Sequence, residues 1–276
     1  MKNKYKLVIC DIDGTLVGRF RNLSDQTRSI IQRLHDKGVY FGLASGRPVD
    51  EVIHLVREVW QLEEKIDVVI GMNGSELCDN VSSCADEYFK LSTESLKEIM
   101  DLMKPFDVNA CIYRPGAMLC QIANEQVQAS VSRSGKKVVI ADSIEDFYSE
   151  ESAKIMFRTD EETINKIEQY TKTLESNKYK AFRTGPIIIE FADTRVSKAY
   201  ALKEFCENNN IELSEVIAFG DTTNDNEMLS VSGMGVCLLN GSADTKKCAD
   251  YITEKNNEEE GFADFMNKQI FDKNII

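Results

Sequence analysis

Apolar positions along the chain follow two alternating rhythms. Short runs rich in β-branched residues are followed by longer stretches in which apolar residues recur at helical spacing, a pattern that predicts a mostly parallel sheet covered by helices. Residues 6–10 read as the first strand. The next helix is predicted to begin near Ser24, a good N-cap, to turn Ile30, Ile31 and Leu34 inward and to end at Gly38. "VYFGLAS" (39–45) reads as the second strand. Pro48 then suits the first turn of a helix whose Val52, Leu55, Val56 and Val59 share one face, and "IDVVIG" (66–71) is the third strand.

Between about residues 85 and 192 the rhythm changes. A helix over 93–104, strands near 107–113 and 116–122, a short helix and a strand at 136–141 are followed by strand 152–158, helix 160–176 and strands 178–184 and 186–192. Helices separated by paired strands predict an α+β unit inserted into the first domain. The strand–helix rhythm returns in helix 196–208, strand 215–220, helix 224–230 and strand 234–238. "NNEEEG" (256–261) reads as a solvated loop before a terminal helix. The expected architecture is a doubly wound α/β core, residues 1–84 and 193–276, carrying an α+β insertion at 85–192. No repeat, low-complexity tract or Pro/Gly-rich linker interrupts it.

Composition narrows the functional classes. With 276 residues the chain can bury a sizeable core, and 46 acidic against 33 basic residues give a formal net charge of −13. That balance argues against a nucleic-acid surface, which needs a basic stripe. No apolar run approaches the roughly 18 residues that cross a bilayer. The start, "MKNKYKLVIC", is basic and then apolar, but it runs straight into Asp11 with no small-residue cleavage site, so a cytoplasmic location is expected. Eight scattered cysteines include no CxxC pair, and they read as small buried hydrophobes.

Four polar clusters fall where strands end: Asp11–Thr15, Ser45–Gly46–Arg47, Lys198, and Gly220–Asp225. In an open α/β sheet, ligands bind outside the carboxyl ends of the strands. Carboxylates from Asp11, Asp13, Asp221 and Asp225 could not share one crevice uncompensated, and a hard divalent cation with oxygen ligands, Mg²⁺, is the natural remedy. Lys198 adds positive charge. Ser45 offers a hydroxyl where a helix begins, a place that favours an anion. Together these groups describe a phosphoryl-transfer site in which one carboxylate attacks phosphorus and the second moves protons.

"DIDGT" (11–15), "ASGRP" (44–48), "VSKAYAL" (196–202) and "GDTTNDNEML" (220–229) resemble the four ordered motifs of the haloacid dehalogenase (HAD) superfamily. They are most similar to its Cof-type, subclass IIB, sugar-phosphatase-like branch, as are "GMNGSEL" (71–77) and "CADYITEKNNEEEGFADFM" (248–266). Ala199 stands where that family usually has glycine. The resemblance implies a HAD-like core with an inserted α+β cap of the C2 type that selects the substrate. It also assigns roles. Asp11 would be the nucleophile and a Mg²⁺ ligand, and Asp13 the general acid/base, its backbone carbonyl completing the metal site. The Ile12 N–H, Ser45, the Gly46 amide, Lys198 and Asn224 would hold the phosphoryl group. Asp221 would bind the metal, with Thr15 and Asp225 supporting.

The function so implied is Mg²⁺-dependent hydrolysis of phosphate monoesters of small metabolites, sugar phosphates among them, through an aspartyl-phosphate. The alternatives are a phosphomutase acting on sugar phosphates and a non-catalytic phosphate-binding regulatory protein. The expected partner is a small phosphorylated metabolite, with neither nucleic acid nor membrane, and the expected state is a monomer or weak homo-oligomer. His35 and His54, on helical stretches away from the motifs, read as solvated or capping residues. Trp60 reads as core, and Arg114 is indistinguishable from a surface arginine.

Overall fold

The computed structural model describes residues 4–18, 22–132 and 134–276, so the first three residues of the basic opening segment lie outside it. The chain divides into two compact units, 1–86 with 197–276, and 87–196.

The first unit opens on β1 (Leu7–Cys10), all four residues buried. Helix α1 (Asp25–Asp36) starts where the Ser24 hydroxyl accepts the Thr27 N–H, and it buries Ile30, Ile31 and Leu34. Strand β2 (Tyr40–Ala44) leads to α2 (Val49–His54), capped by Pro48. Pro48 therefore stands just outside the helix rather than in its first turn. The predicted helical face also breaks: α2 runs into a π-helical turn, Leu55–Trp60. Its i→i+5 winding shifts the phase of the periodic pattern. Leu55, Val56 and Trp60 stay buried, but Val59 is 48 % exposed. Strand β3 (Val68–Gly71) is followed by β4 (Glu76–Asp79) and β5 (Cys84–Glu87), two short strands that the sequence pattern did not signal. In β5 no residue is fully buried, so no apolar alternation marks it.

The second unit comprises α3 (Thr93–Met103), β6 (Asn109–Arg114), β7 (Ala117–Cys120), α4 (Glu125–Val131), β8 (Lys137–Ile140), β9 (Lys154–Arg158), α5 (Glu161–Thr171), β10 (Tyr179–Gly185) and β11 (Ile188–Asp193). Its six-stranded sheet has the order β10-β11-β9-β6-β7-β8. Alternation along the strands sorts two faces. Ile112, Ile155, Phe157, Ile189 and Phe191 form one core with Leu96, Ile99 and Met103 of α3 and Ile164 and Ile167 of α5. Cys111, Met118, Cys120 and Met156 pack with Val127 and Val131 of α4. Helix α5 stops at Thr171, five residues short of the predicted end.

The chain then completes the first unit with α6 (Lys198–Asn208), β12 (Val216–Gly220), α7 (Asn226–Val231), β13 (Met234–Cys237), α8 (Ala243–Cys248), β14 (Tyr251–Ile252) and α9 (Gly261–Phe265). The eight-stranded sheet runs β14-β13-β12-β1-β2-β3-β4-β5. It is parallel from β14 to β3, and β4 turns back antiparallel on β3. Cys10 stands level with both Phe219 and Leu43, so the chain leaves β1, β12 and β2 at one height. Asp11, Asp221 and Ser45 follow within two residues of those pairs.

Candidate active site

Asp11 continues the β1 ladder by donating its N–H to Phe219 O, and the chain then folds tightly, with the Leu16 and Val17 N–H groups both on Ile12 O. Gly14 takes φ +93°, and a Cβ there would fall 2.4 Å from Asp221 Oδ2. Only glycine lets this turn approach that carboxylate. The Thr15 hydroxyl donates to Asp221 Oδ1 at 2.8 Å.

Lys198 opens α6, whose start is fixed by the Ser197 hydroxyl accepting the Tyr200 N–H. Its ammonium, fully buried, donates to Asp11 Oδ1 at 2.6 Å and to Asp225 Oδ1 at 2.7 Å. The other Asp225 oxygen accepts from the Asp221 and Thr222 N–H groups at 3.0 and 3.1 Å. Asp11, Asp221 and Asp225 offer oxygens that lie within 4.8 Å of one another, and all three residues are buried. Among the described residues of this cluster, three carboxylates face one ammonium, an excess of two formal negative charges. Among the described residues, the hydrogen bonds to the Asp11 carboxylate use Oδ1, and Thr15 uses Oδ1 of Asp221. This hard-oxygen donor set fits a divalent cation of the Mg²⁺ kind. Asp11 and Asp221 are the residues placed to hold it, since both Asp225 oxygens are already engaged.

The electrostatics carry the same imbalance. Burial pushes the Asp11 carboxyl well above the usual carboxylate range; Lys198 offsets part of this, and Asp225 and Asp221 add to it. Burial likewise raises Asp221 to about 6, against the pull of the Thr15 hydrogen bond. For Lys198 burial acts downward, but the Asp11 and Asp225 carboxylates outweigh it and hold the ammonium above its ordinary range.

The remaining predicted residues form two further groups. The Asp13 side chain is 46 % exposed and receives both Nε and Nη2 of Arg47, at 2.8 and 2.5 Å. Buried Ser45 accepts the Arg47 N–H on its hydroxyl. Asn224 donates through Nδ2 to Asn73 Oδ1 at 3.0 Å, and Gly46 lies alongside the same Asn73 side chain. The Ile12 N–H donates to no backbone carbonyl among the described residues. Asp11, Thr15, Lys198, Asp221 and Asp225 thus meet directly, Gly46 and Asn224 meet through Asn73, and Asp13 is tied to Arg47.

Residues 8–266 match the family model of the haloacid dehalogenase-like hydrolases. The chain belongs to this family. A Streptococcus pyogenes serotype M6 protein named as a phosphatase is 28 % identical over 269 residues, covering 92 % of this chain and 94 % of its own. The 5-amino-6-(5-phospho-D-ribitylamino)uracil phosphatase YitU of Bacillus subtilis is 25 % identical, covering 96 % of this chain and 98 % of its own. In fold the chain resembles a haloacid dehalogenase-like hydrolase from Bacteroides thetaiotaomicron, at TM-score 0.84 and 26 % identity over 97 % of this chain and 100 % of that one. The HAD subclass IIB sugar phosphatase BT4131 has the same fold, with TM-score 0.81, 23 % identity, and coverage of 98 % and 100 %. The chain is a HAD-type hydrolase of the phosphatase kind.

Two residues of this HAD site had no role assigned from sequence: Arg47, named only as a member of the strand-end cluster Ser45–Gly46–Arg47, and Asn73, present only within a quoted motif. Arg47, within "ASGRP", partners Asp13 from 34 positions away. Asn73, within "GMNGSEL", bridges Ser45 and Asn224. Their position in the motifs was visible; their partners are tertiary. Outside the site, His35 pairs with Lys65 O at 3.1 Å and Arg114 with Glu150 at 2.8 Å. Among the described residues no helix is long and apolar enough to cross a membrane.

Proposed function

We propose that the chain hydrolyses phosphate monoesters of small metabolites, with Mg²⁺ bound and with the phosphoryl group carried transiently on Asp11. The observation that carries this reading is the buried cluster of Asp11, Asp221, Asp225 and Lys198, in which one Asp11 oxygen is held by the ammonium. In this reading the other oxygen, Oδ2, attacks phosphorus. The new Asp11–phosphorus bond forms as the ester P–O bond breaks, and Asp13 gives the departing alkoxide its proton. Water then attacks the phosphorus and gives a proton to Asp13 as the Asp11–phosphorus bond breaks, and inorganic phosphate leaves with the Asp11 carboxylate and the Asp13 acid restored.

Ser45, the Ile12 and Gly46 N–H groups and Asn224 receive the phosphoryl oxygens. Lys198 balances the charge that develops there. Asp11, Asp221 and the Asp13 carbonyl would hold Mg²⁺, which would supply the remaining charge neutralisation. Asp13 must leave Arg47 for its proton work, so the exposed ion pair belongs to a resting state. Asp225 holds Lys198 and the Asp221 backbone.

The substrate class, a sugar phosphate or similar phosphorylated polyol, is supported by YitU, which is named for a phospho-ribityl compound. We assign the choice of leaving group to the inserted unit, which carries none of the four core motifs. The test is phosphate release from a panel of sugar phosphates, nucleotides and other monoesters, with Mg²⁺, with EDTA, and with Asp11→Asn. Release that needs Mg²⁺ and vanishes in Asp11→Asn supports the reading. Folded, Mg²⁺-loaded protein that releases phosphate from none of them refutes it.

A further inference from the structure

After β3 the backbone passes through three consecutive residues of positive φ: Met72 at +49°, Asn73 at +59° and Gly74 at +107°. Asparagine and glycine adopt such angles readily, but methionine does so at a cost that its surroundings must offset. The surroundings here are the other strand-end loops. The Met72 N–H donates to Arg47 O at 2.8 Å and the Asn73 N–H to Ser45 O at 3.0 Å. Gly74 backs onto the entry to α6: a Cβ there would fall 2.0 Å from the Ser197 carbonyl oxygen, one residue before Lys198. The Asn73 side chain is buried, accepts the Asn224 amide at 3.0 Å and flanks Gly46. One strained turn therefore touches three loops of the site, each remote from it in sequence.

We propose that Asn73 is a positioning residue for phosphate binding: its N–H fixes Ser45 and its side-chain carbonyl fixes Asn224, which holds the two loops in register before the phosphoryl group arrives. The inference rests on the proposed reading of Ser45 and Asn224 as phosphate-binding residues. The plain alternative is that asparagine only suits a left-handed turn. Glycine suits that turn equally well, so Asn73→Gly keeps the backbone and removes only the amide. The hydrogen bonds of Asn73 reach none of Asp11, Asp221 or Asp225. Metal affinity should therefore not follow phosphate affinity.

The experiment compares the full-length chain with Asn73→Gly, Asn224→Ala and the double variant. Calorimetry reads the affinity for inorganic phosphate in the presence of Mg²⁺ and, separately, for Mg²⁺ alone; phosphate release gives kcat/KM. A buried hydrogen bond of ordinary strength predicts a loss of about tenfold in phosphate affinity and kcat/KM for Asn73→Gly, with Mg²⁺ affinity unchanged. The double variant should lose about tenfold rather than the roughly hundredfold expected of independent sites. Wild-type phosphate affinity in Asn73→Gly, an equal loss of Mg²⁺ affinity, or multiplying losses would each overturn the inference. If the wild type turns over no ester, the proposed function falls, while the binding arm still decides the role of Asn73. Should Asn73→Gly not fold, Asn73→Asp keeps the turn and the acceptor but puts negative charge beside Gly46. It should weaken phosphate binding by more than tenfold and leave Mg²⁺ binding intact, and unchanged phosphate affinity would again overturn the inference.

Discussion

Replacing Lys198 by methionine tests the charge balance of the site in isolation. The ammonium lies 2.6 Å from Asp11 and 2.7 Å from Asp225, and its side chain has no exposed surface. Methionine fills much of the space but removes the one positive charge among three buried carboxylates. Breaking a buried, hydrogen-bonded ion pair by deleting one partner costs ~3–5 kcal/mol, because the other charge is left in low dielectric. That cost should appear in urea unfolding in EDTA at pH 8. It should shrink as the pH falls, since protonation of Asp11, whose carboxyl burial holds well above the usual range, neutralises one of the two orphaned carboxylates. Saturating Mg²⁺ should also recover part of it, because a cation that binds only the folded chain stabilises it. A loss under ~1 kcal/mol in EDTA at pH 8, with no pH dependence, would mean the cluster does not behave as coupled buried charge.

Other consequences are as direct. Asp221, raised by burial to about 6, binds a proton on folding between its unfolded value near 3.9 and about 6. In metal-free protein this group therefore contributes stability below about pH 4 that is lost as the pH rises through about 6, roughly 3 kcal/mol in all. Asp221→Asn should flatten that part of the pH–stability profile measured in EDTA, and an unaltered profile would contradict the assignment. Gly14→Ala would drive a Cβ to 2.4 Å from Asp221 Oδ2 at φ +93°, so Mg²⁺ affinity by calorimetry should fall and stability by urea unfolding should drop by ~1–3 kcal/mol. Arg47→Ala removes a pair whose Asp13 side is 46 % exposed, so its stability cost should stay under ~1 kcal/mol. A loss above ~2 kcal/mol in the same assay would make the pair structural.

The alternation of strand and helix runs in the first unit was readable because each run ends on a strong local signal. Ser24 caps α1 as its residue type suggests, and Gly14 and Gly220 mark the tight exits from β1 and β12. Local signals failed where geometry departs from the standard period. The π-helical turn at Leu55–Trp60 moved Val59 to solvent, and β5 has no fully buried residue to betray it. The carboxylates and the lysine were legible as types at strand ends. That Lys198 would bridge Asp11 and Asp225, leaving Thr15 to hold Asp221, depends on contacts between loops 187, 27 and 206 positions apart, which periodicity does not encode. Arg47 and Asn73 belong to the same class. Each is an ordinary residue in a recognised motif until the fold supplies its partner.

The claim that Asp11 carries the phosphoryl group is tested most directly with Asp13→Asn and p-nitrophenyl phosphate in the presence of Mg²⁺. Nitrophenolate departs without a proton, so Asp11 should still be phosphorylated, while hydrolysis of the product, which needs Asp13 as base, should stall. The account predicts a stoichiometric burst of nitrophenolate and, after acid quench, a phosphoryl adduct on the peptide that contains Asp11. Steady turnover by the wild type, with neither burst nor adduct in Asp13→Asn, would contradict it.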